Sequence, residues 1–127
     1  KIIILSTTLT REEHLNNYNQ VDLALDTFPY PGVTTTFESM LMGVPVLTKK
    51  GFNFNSRCGE SININFNMKE FIAQNEDDYF DKAIQLQSKR KFLNKLKLTM
   101  RDKFIKLDVF NINKFTNDFS SLLKTLL

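Results

Sequence analysis

With 127 residues, the chain is long enough for one domain of ordinary size or for a part of a larger domain. Its 42% hydrophobic and 24% charged residues exclude an intrinsically disordered protein, and no stretch approaches the roughly 18 consecutive apolar residues of a membrane-spanning helix. The net charge of +3 comes mainly from residues 88–106, where lysines alternate with apolar residues at helical spacing. This pattern indicates the solvated face of a helix and argues against a nucleic-acid or membrane surface.

The chain opens on an apolar run that predicts a buried strand. Residues 1–6, KIIILS, are typical of an interior strand of a parallel sheet. Because the sequence begins inside this run, we expect the chain to be a fragment whose true N-terminus is missing. A helix is predicted from Arg11, where Thr10 is a suitable N-cap and Glu13 its capping-box partner three residues later.

Two further strands flank a predicted helix. The strands cover residues 21–26 and 44–48, and the helix covers residues 34–42 and stops near Gly43. Asp26, at the end of the first of these strands, is expected to cap the loop that follows it. Because strands and helices alternate, the pattern predicts an α/β fold with a parallel sheet and flanking helices.

The middle of the chain shows shorter patterns. A short helix is predicted over residues 57–61, a brief fourth strand over residues 62–65, and another short helix over residues 67–74. Asn75 is expected to cap a longer helix over residues 76–87, whose early acidic residues suit a helix N-terminus.

The tail of the chain is predicted to be helical and carries two apolar stripes. The first stripe consists of Leu93, Leu96, Met100 and Phe104. The second consists of Ile112, Phe115, Phe119, Leu122, Leu123 and Leu126. We expect both stripes to be contacts with the hydrophobic core, since a helical period of apolar residues is the usual mark of a buried helix face.

The segment PGVTTTFE, residues 31–38, lies where a predicted strand gives way to a helix. Ligands of open parallel sheets bind at the carboxyl ends of the strands, and the unpaired amides of a helix's first turn favour a phosphate. Gly32 leaves room for a ligand to approach, and Thr34 and Thr35 add hydroxyl donors beside the amides. Glu38, one turn into the helix, is suited to accept hydrogen bonds from the two hydroxyls of a ribose.

The same residues admit a purely structural interpretation. The threonines would then cap the helix, and Glu38 would complement the helix dipole. Physical chemistry alone leaves these two interpretations balanced. The segment is not a Walker motif, because no lysine follows the glycine at the required position, and it is not a dinucleotide-binding fingerprint.

The run from Asp22 to Glu60 resembles a known protein family. Its residues LDTFPYPGVTTTFESMLMGVPV, followed by NSRCGES and preceded by REEHL, are similar to the C-terminal catalytic lobe of the O-linked N-acetylglucosamine transferases and their bacterial relatives. The resemblance implies a GT-B glycosyltransferase with two Rossmann-like lobes, of which this chain is part of the C-terminal, nucleotide-sugar-binding lobe. As a single domain, it would hold the sheet and the nucleotide turn in residues 1–66 and a helical part in residues 67–127.

The resemblance also implies how the turn binds the donor. By position, Gly32, Thr34 and Thr35 match the diphosphate-binding turn of the family, and Glu38 matches the acidic residue that contacts the ribose. Val33 stands where relatives often have glycine or histidine. Its side chain cannot contact phosphate as a histidine would, so only its backbone amide is expected to contribute.

Three further residues are implied to lie near the nucleotide. Arg11 stands where the family often has a lysine, His14 matches a histidine near the base, and Arg57 matches a basic residue that faces the cleft. We do not assign a catalytic base to any residue of the chain.

The implied reaction is the transfer of a sugar from a nucleotide diphosphate to a serine or threonine hydroxyl of a protein acceptor, without a metal ion or other cofactor. UDP-N-acetylglucosamine is the expected donor, and GDP-fucose is an alternative within the same class. The implied partners are the missing N-terminal lobe and tetratricopeptide repeats of the same polypeptide, without nucleic acid or membrane. The fragment alone is expected to be inactive.

Two points rest on the residues without the resemblance. The single cysteine, Cys58, excludes an internal disulfide and favours the reducing cytoplasm. A second class of function also stays open, namely a non-catalytic α/β module that binds a phosphorylated ligand or a partner protein.

Overall fold

The structure, a computed structural model, describes residues 10–126, so the strand predicted over residues 1–6 lies outside the described residues. Within them, the helices are α1 (Arg11–Asn17), α2 (Thr34–Leu41), α3 (Cys58–Asn65), α4 (Glu76–Ser88), α5 (Arg90–Phe104) and α6 (Ile112–Leu126). The strands are β1 (Ala24–Leu25), β2 (Val46–Lys49) and β3 (Ile72–Ala73). Short 3₁₀ helices cover Tyr18–Gln20, Asn55–Arg57, Lys69–Phe71 and Asp108–Phe110.

The described strands form a parallel sheet in the order β1-β2-β3. Ala24 pairs with Val46, and Thr48 pairs with Ile72, so β2 is the central strand. The connections from β1 to β2 and from β2 to β3 each contain a helix, which is what parallel neighbours require. The predicted α/β fold with a parallel sheet and flanking helices is therefore confirmed, and the carboxyl ends of all three strands lie at one edge of the sheet.

Helix starts follow the capping chemistry of the sequence. The Thr10 hydroxyl accepts a hydrogen bond from the Glu13 amide, and the Glu13 carboxylate accepts one from the Thr10 amide, each at 3.1 Å. The Asn75 side chain likewise accepts from the amide of Asp78 at 2.8 Å at the start of α4. Both predicted caps are confirmed. They could be predicted because a cap residue and its partner lie only three positions apart in the sequence.

Gly43 ends α2 and brings α5 close to it. Its φ of +82° lies in the left-handed region that favours glycine, and a Cβ atom there would lie 2.5 Å from the carbonyl oxygen of Lys97. The predicted stop of the helix near Gly43 is thus confirmed. The glycine also allows the backbone of α5 to pack closely against it at Lys97, a contact that the sequence around Gly43 does not indicate.

The hydrophobic core lies between the sheet and helices α2, α3 and α5. Its most deeply buried large side chains include Met40, Leu47, Phe66, Phe71 and Met100. The first apolar stripe of the tail is a core contact, as predicted: Leu93, Met100 and Phe104 are buried, and Leu96 packs against them partly buried.

Two predictions in the middle of the chain are wrong. Residues 62–65 are not a strand but the end of α3, because the buried residues Gly59, Ile62, Asn63 and Phe66 follow a helical period. Residues 67–74 are not a helix, since a 3₁₀ turn leads there into the buried strand β3. The sequence signal for this strand was the short apolar run of Phe71, Ile72 and Ala73, and all three residues are buried.

The prediction for the second apolar stripe of the tail is also wrong. Its six residues lie on α6 with exposed fractions between 45% for Leu123 and 78% for Ile112. Helix α5 already contributes the tail's buried residues, so α6 has no core surface to cover within the described residues. Despite these apolar faces, none of the described helices is both long and apolar enough to cross a membrane.

Candidate functional site

The candidate site lies at the carboxyl edge of the sheet, where the loop after β1 enters α2. The N-cap of α2 is Val33, whose side chain makes no capping hydrogen bond. Within residues 10–126, the amides of residues 33–36 have no hydrogen-bond partner. Val33, Thr34 and Thr35 are exposed, so the donors of these three residues are open to a ligand, whereas Thr36 is buried at 2% exposure.

The threonines do not cap the helix. Among the described residues, the hydroxyls of Thr34 and Thr35 have no hydrogen-bond partner, and the buried Thr36 hydroxyl donates to the Gly32 carbonyl at 3.0 Å. The Thr36 bond is made to a carbonyl four residues earlier and is not a cap, so the capping interpretation of the threonine run fails for all three residues. Two hydroxyls and the exposed amides of residues 33–35 at this helix start are left for another partner.

Gly32 shapes the turn from inside. Its amide donates to Asp26 Oδ1 at 2.7 Å, so this amide is already paired. A Cβ atom on Gly32 would lie 2.5 Å from Thr35 Oγ1 and 3.0 Å from Thr36 Oγ1. The space we expected to admit a ligand is filled by the protein's own hydroxyls, which requires glycine at this position.

Asp26 caps the loop after β1, as predicted. Its Oδ1 atom accepts from the amides of Thr27 and Gly32, and its Oδ2 atom accepts from the Thr48 hydroxyl at 2.8 Å. Burial raises the pKa of this carboxyl, although the three hydrogen bonds act in the opposite direction. The role of Thr48 was not predicted from the sequence. The signal that could have indicated it is a hydroxyl residue near the end of an apolar strand.

Glu38 lies between two of the predicted site residues. Arg11 Nη2 is 3.4 Å from Glu38 Oε1, and His14 Nε2 is 3.4 Å from Glu38 Oε2. The Glu38 side chain is mostly buried at 17% exposure, whereas Arg11 is 78% exposed. The structure thus joins α1 to α2 through a carboxylate whose two oxygens each face a basic side chain.

Tyr18 belongs to the same cluster and was missed by sequence reasoning. Its ring packs edge-on against His14 with centroids 5.7 Å apart, and its hydroxyl donates to the Thr35 carbonyl at 3.4 Å. Burial, and secondarily the charge of Glu38, raise the pKa of Tyr18. The signal that could have found it is its position four residues after His14.

Arg57 lies on another side of the turn. A cleft of about 750 Å³ runs between α2 and α3, with Val33, Phe37, Arg57 and Glu60 among its lining residues. Arg57 Nε donates to Glu60 Oε2 at 2.7 Å, and this bond raises the pKa of the guanidinium. Arg57 therefore shares a cleft with Val33, while neither Arg11 nor His14 lines it.

The arrangement suits an anion that carries a hydroxyl-bearing group. Unpaired amides and the partial charge of a helix N-terminus attract phosphate. Glu38 offers acceptor oxygens on one side of the turn, and Arg57 offers a positive charge on the other.

Sequence comparison identifies the family. The family model of glycosyl transferase family 41 matches residues 1–119. The chain belongs to glycosyl transferase family 41. The C-terminal-lobe resemblance noted from the turn and from NSRCGES is confirmed by this match.

Named relatives and a solved structure agree with the family. A tomato protein named probable UDP-N-acetylglucosamine–peptide N-acetylglucosaminyltransferase SPINDLY is 34% identical over 99% of this chain, and a Eustoma exaltatum protein of the same name is 37% identical over 93%. An O-GlcNAc transferase mutant from Thermobaculum terrenum has a similar structure, with a TM-score of 0.71 and 33% identity over 76% of this chain. The chain spans 14% of the tomato protein, 13% of the Eustoma protein and 18% of the Thermobaculum chain.

Proposed function

We propose that this chain is the donor-nucleotide-binding part of a glycosyltransferase that moves N-acetylglucosamine from UDP-N-acetylglucosamine to protein serine or threonine hydroxyls. The observation that carries the proposal is the exposed start of α2, with unpaired amides over residues 33–35 at the carboxyl edge of a parallel sheet. Family membership favours this function over a non-catalytic module, and the relatives' names motivate the donor.

The proposed residues divide by the part of the donor that they contact. The amides of residues 33–35 and the hydroxyls of Thr34 and Thr35 bind the diphosphate, while Glu38 accepts from the ribose hydroxyls. Arg11 and His14 lie beside the nucleoside, because both contact Glu38. Arg57 approaches the diphosphate from the cleft between α2 and α3.

In the proposed reaction, the acceptor oxygen forms a bond to the anomeric carbon as the bond from that carbon to the diphosphate oxygen breaks. The electron pair of the broken bond leaves with the nucleoside diphosphate, and the acceptor proton passes to a base that we do not assign. The helix N-terminus and Arg57 stabilise the charge that develops on the leaving group, which is the role a metal ion has in other transferases. We therefore propose that no metal is needed.

We further propose that the chain acts as part of a longer cytoplasmic polypeptide with an N-terminal lobe and tetratricopeptide repeats, and that it is inactive alone. The small share of each relative that it spans supports the longer polypeptide. Activity of the 127-residue chain by itself would contradict this part of the proposal.

Titration of the full-length protein with UDP, with and without EDTA, tests the proposal. Thr35→Val removes a hydroxyl donor and should weaken UDP binding by roughly 2- to 12-fold, the range expected for one hydrogen bond. Glu38→Ala should weaken it at least as much. Thr116→Val and Glu12→Ala, at exposed positions outside the site, are matched controls and should bind UDP normally.

Three results would count against the proposal. If the unmodified protein fails to bind UDP, or if both site variants bind it normally, the assignment of the turn is wrong. If EDTA abolishes binding, the metal-independent mechanism is wrong, whereas the location of the site would stand.

A further inference from the structure

Asp26 connects the turn to the rest of the sheet edge. One carboxylate oxygen accepts from the Gly32 amide at 2.7 Å, and the other accepts from the Thr48 hydroxyl at 2.8 Å. Thr48 is buried at 1% exposure in the central strand β2. The carboxylate thus ties the entry of α2 to a rigid strand.

Two more elements meet at the same residue. A Cβ atom on Gly59 would lie 2.6 Å from Asp26 Oδ2, so α3 approaches the carboxylate as closely as only glycine allows. The Tyr79 hydroxyl of α4 donates to the Asp26 carbonyl at 2.7 Å. Asp26 therefore contacts β2, α3, α4 and the loop before α2.

The contact with Gly32 fixes the turn that leads into α2. Because Asp26 accepts from the amide of Gly32, the chain turns at this glycine, and the unpaired, exposed amides of residues 33–35 follow at the start of α2. The Thr35 hydroxyl packs against Gly32 in the same turn. The close approach of Gly59 places the start of α3, directly after Arg57, beside the Asp26 carboxylate.

We propose that Asp26 is a positioning residue for diphosphate binding, an inference that rests on the proposed function. It does not contact the donor. Its carboxylate holds the α2 amides, and through Gly59 the Arg57 side of the cleft, at the spacing that a diphosphate requires. Loss of Asp26 should therefore weaken the binding of a nucleoside diphosphate much more than the binding of its nucleoside.

The test compares UDP with uridine, and GDP with guanosine, as ligands of the full-length protein. Asp26→Ala should weaken diphosphate binding by roughly tenfold or more, because a charged hydrogen-bond acceptor is lost, and should leave nucleoside binding within about twofold. Asp26→Asn retains an acceptor for the Gly32 amide and should restore most of the loss. Thr48→Val, which removes the donor to Oδ2, should give a smaller loss that again affects only the diphosphate.

A core variant separates positioning from general stability. Met100→Ala disturbs a residue at 1% exposure outside the site and should not change the ratio of diphosphate to nucleoside affinity. An unchanged ratio in Asp26→Ala would overturn the positioning role. If that variant does not fold, an unchanged ratio in Thr48→Val overturns it instead. An unmodified protein that binds neither nucleotide refutes the proposed function and the positioning role with it.

Discussion

At the scale of single residues, Tyr79 shows how one hydroxyl supports the site from outside it. The hydroxyl donates to the Asp26 carbonyl at 2.7 Å, and the Tyr79 ring packs edge-on against Phe28 at 5.4 Å. Burial, and secondarily the charge of Asp26, raise the pKa of Tyr79 to about 12 from the model-compound value of 10.0. The folded protein therefore retains the phenolic proton at pH values where the unfolded chain has lost it.

This pKa gives a prediction about alkaline stability. The contribution of neutral Tyr79 is fully present below pH 10.0 and is lost as the pH rises through about 12. Tyr79→Phe should lower the free energy of unfolding by about 1 kcal/mol at neutral pH, the usual net value of one hydrogen bond, and the deficit should disappear toward pH 12. Denaturant unfolding across this pH range measures both effects.

Tyr30→Phe is the matched control for this experiment. Tyr30 is 75% exposed, so its variant should unfold like the unmodified protein at every pH. If Tyr79→Phe lowers the free energy of unfolding by the same amount at every pH up to 12, ionisation of the Tyr79 hydroxyl does not affect stability and the prediction is wrong.

At the scale of elements, α5 and α6 show that similar patterns can have different outcomes. Both helices carry an apolar stripe, but the stripe of α5 is buried in the core while that of α6 is exposed. Helix α5 is also held by Lys97, whose ammonium group donates to the carbonyls of Asn19 and Val21. A stripe thus indicates that a helix has a face to bury, and the rest of the fold decides whether that face is covered.

The two faces of α5 should respond differently to the same truncation. Met100 is 1% exposed and Leu98 is 84% exposed on the same helix. Met100→Ala leaves a cavity and should lower the free energy of unfolding by about 2–5 kcal/mol, whereas Leu98→Ala should change it by less than about 0.5 kcal/mol. Chemical denaturation measures both values, and equal losses would mean that the helix is packed in another orientation.

At the scale of the whole molecule, the described chain is an α/β unit with unburied apolar surface. The stripe of α6 is exposed, and Phe52 and Phe54 near the candidate site are 85% and 86% exposed. Large exposed apolar surfaces mark sites of association with another protein segment or of self-association. The small share of each relative that the chain spans makes such surface physically reasonable.

We therefore expect the 127-residue chain, when produced alone, to self-associate. The double variant Phe119→Ser and Leu122→Ser removes apolar area from the α6 stripe and should shift the population toward monomer, as measured by light scattering after size-exclusion chromatography. Asn117→Ser, a substitution of one polar residue by another on α6, should leave the distribution unchanged. A monomeric unmodified chain would contradict this expectation.

The sequence by itself determined the features that depend on neighbours along the chain. The capping pair of Thr10 and Glu13, the cap at Asn75 and the helix stop at Gly43 all involve residues a few positions apart. The alternation of strands and helices also indicated the parallel sheet, and the turn together with NSRCGES indicated the family.

Tertiary structure alone decided which distant residues meet. Asp26 and Thr48 are 22 positions apart, and Glu38 gains its contacts with Arg11 and His14 only because α1 packs beside α2. The exposure of the α6 stripe was likewise not indicated by local pattern. The physical reason is that burial depends on the surfaces that other segments present, whereas a cap depends on the backbone of its own turn.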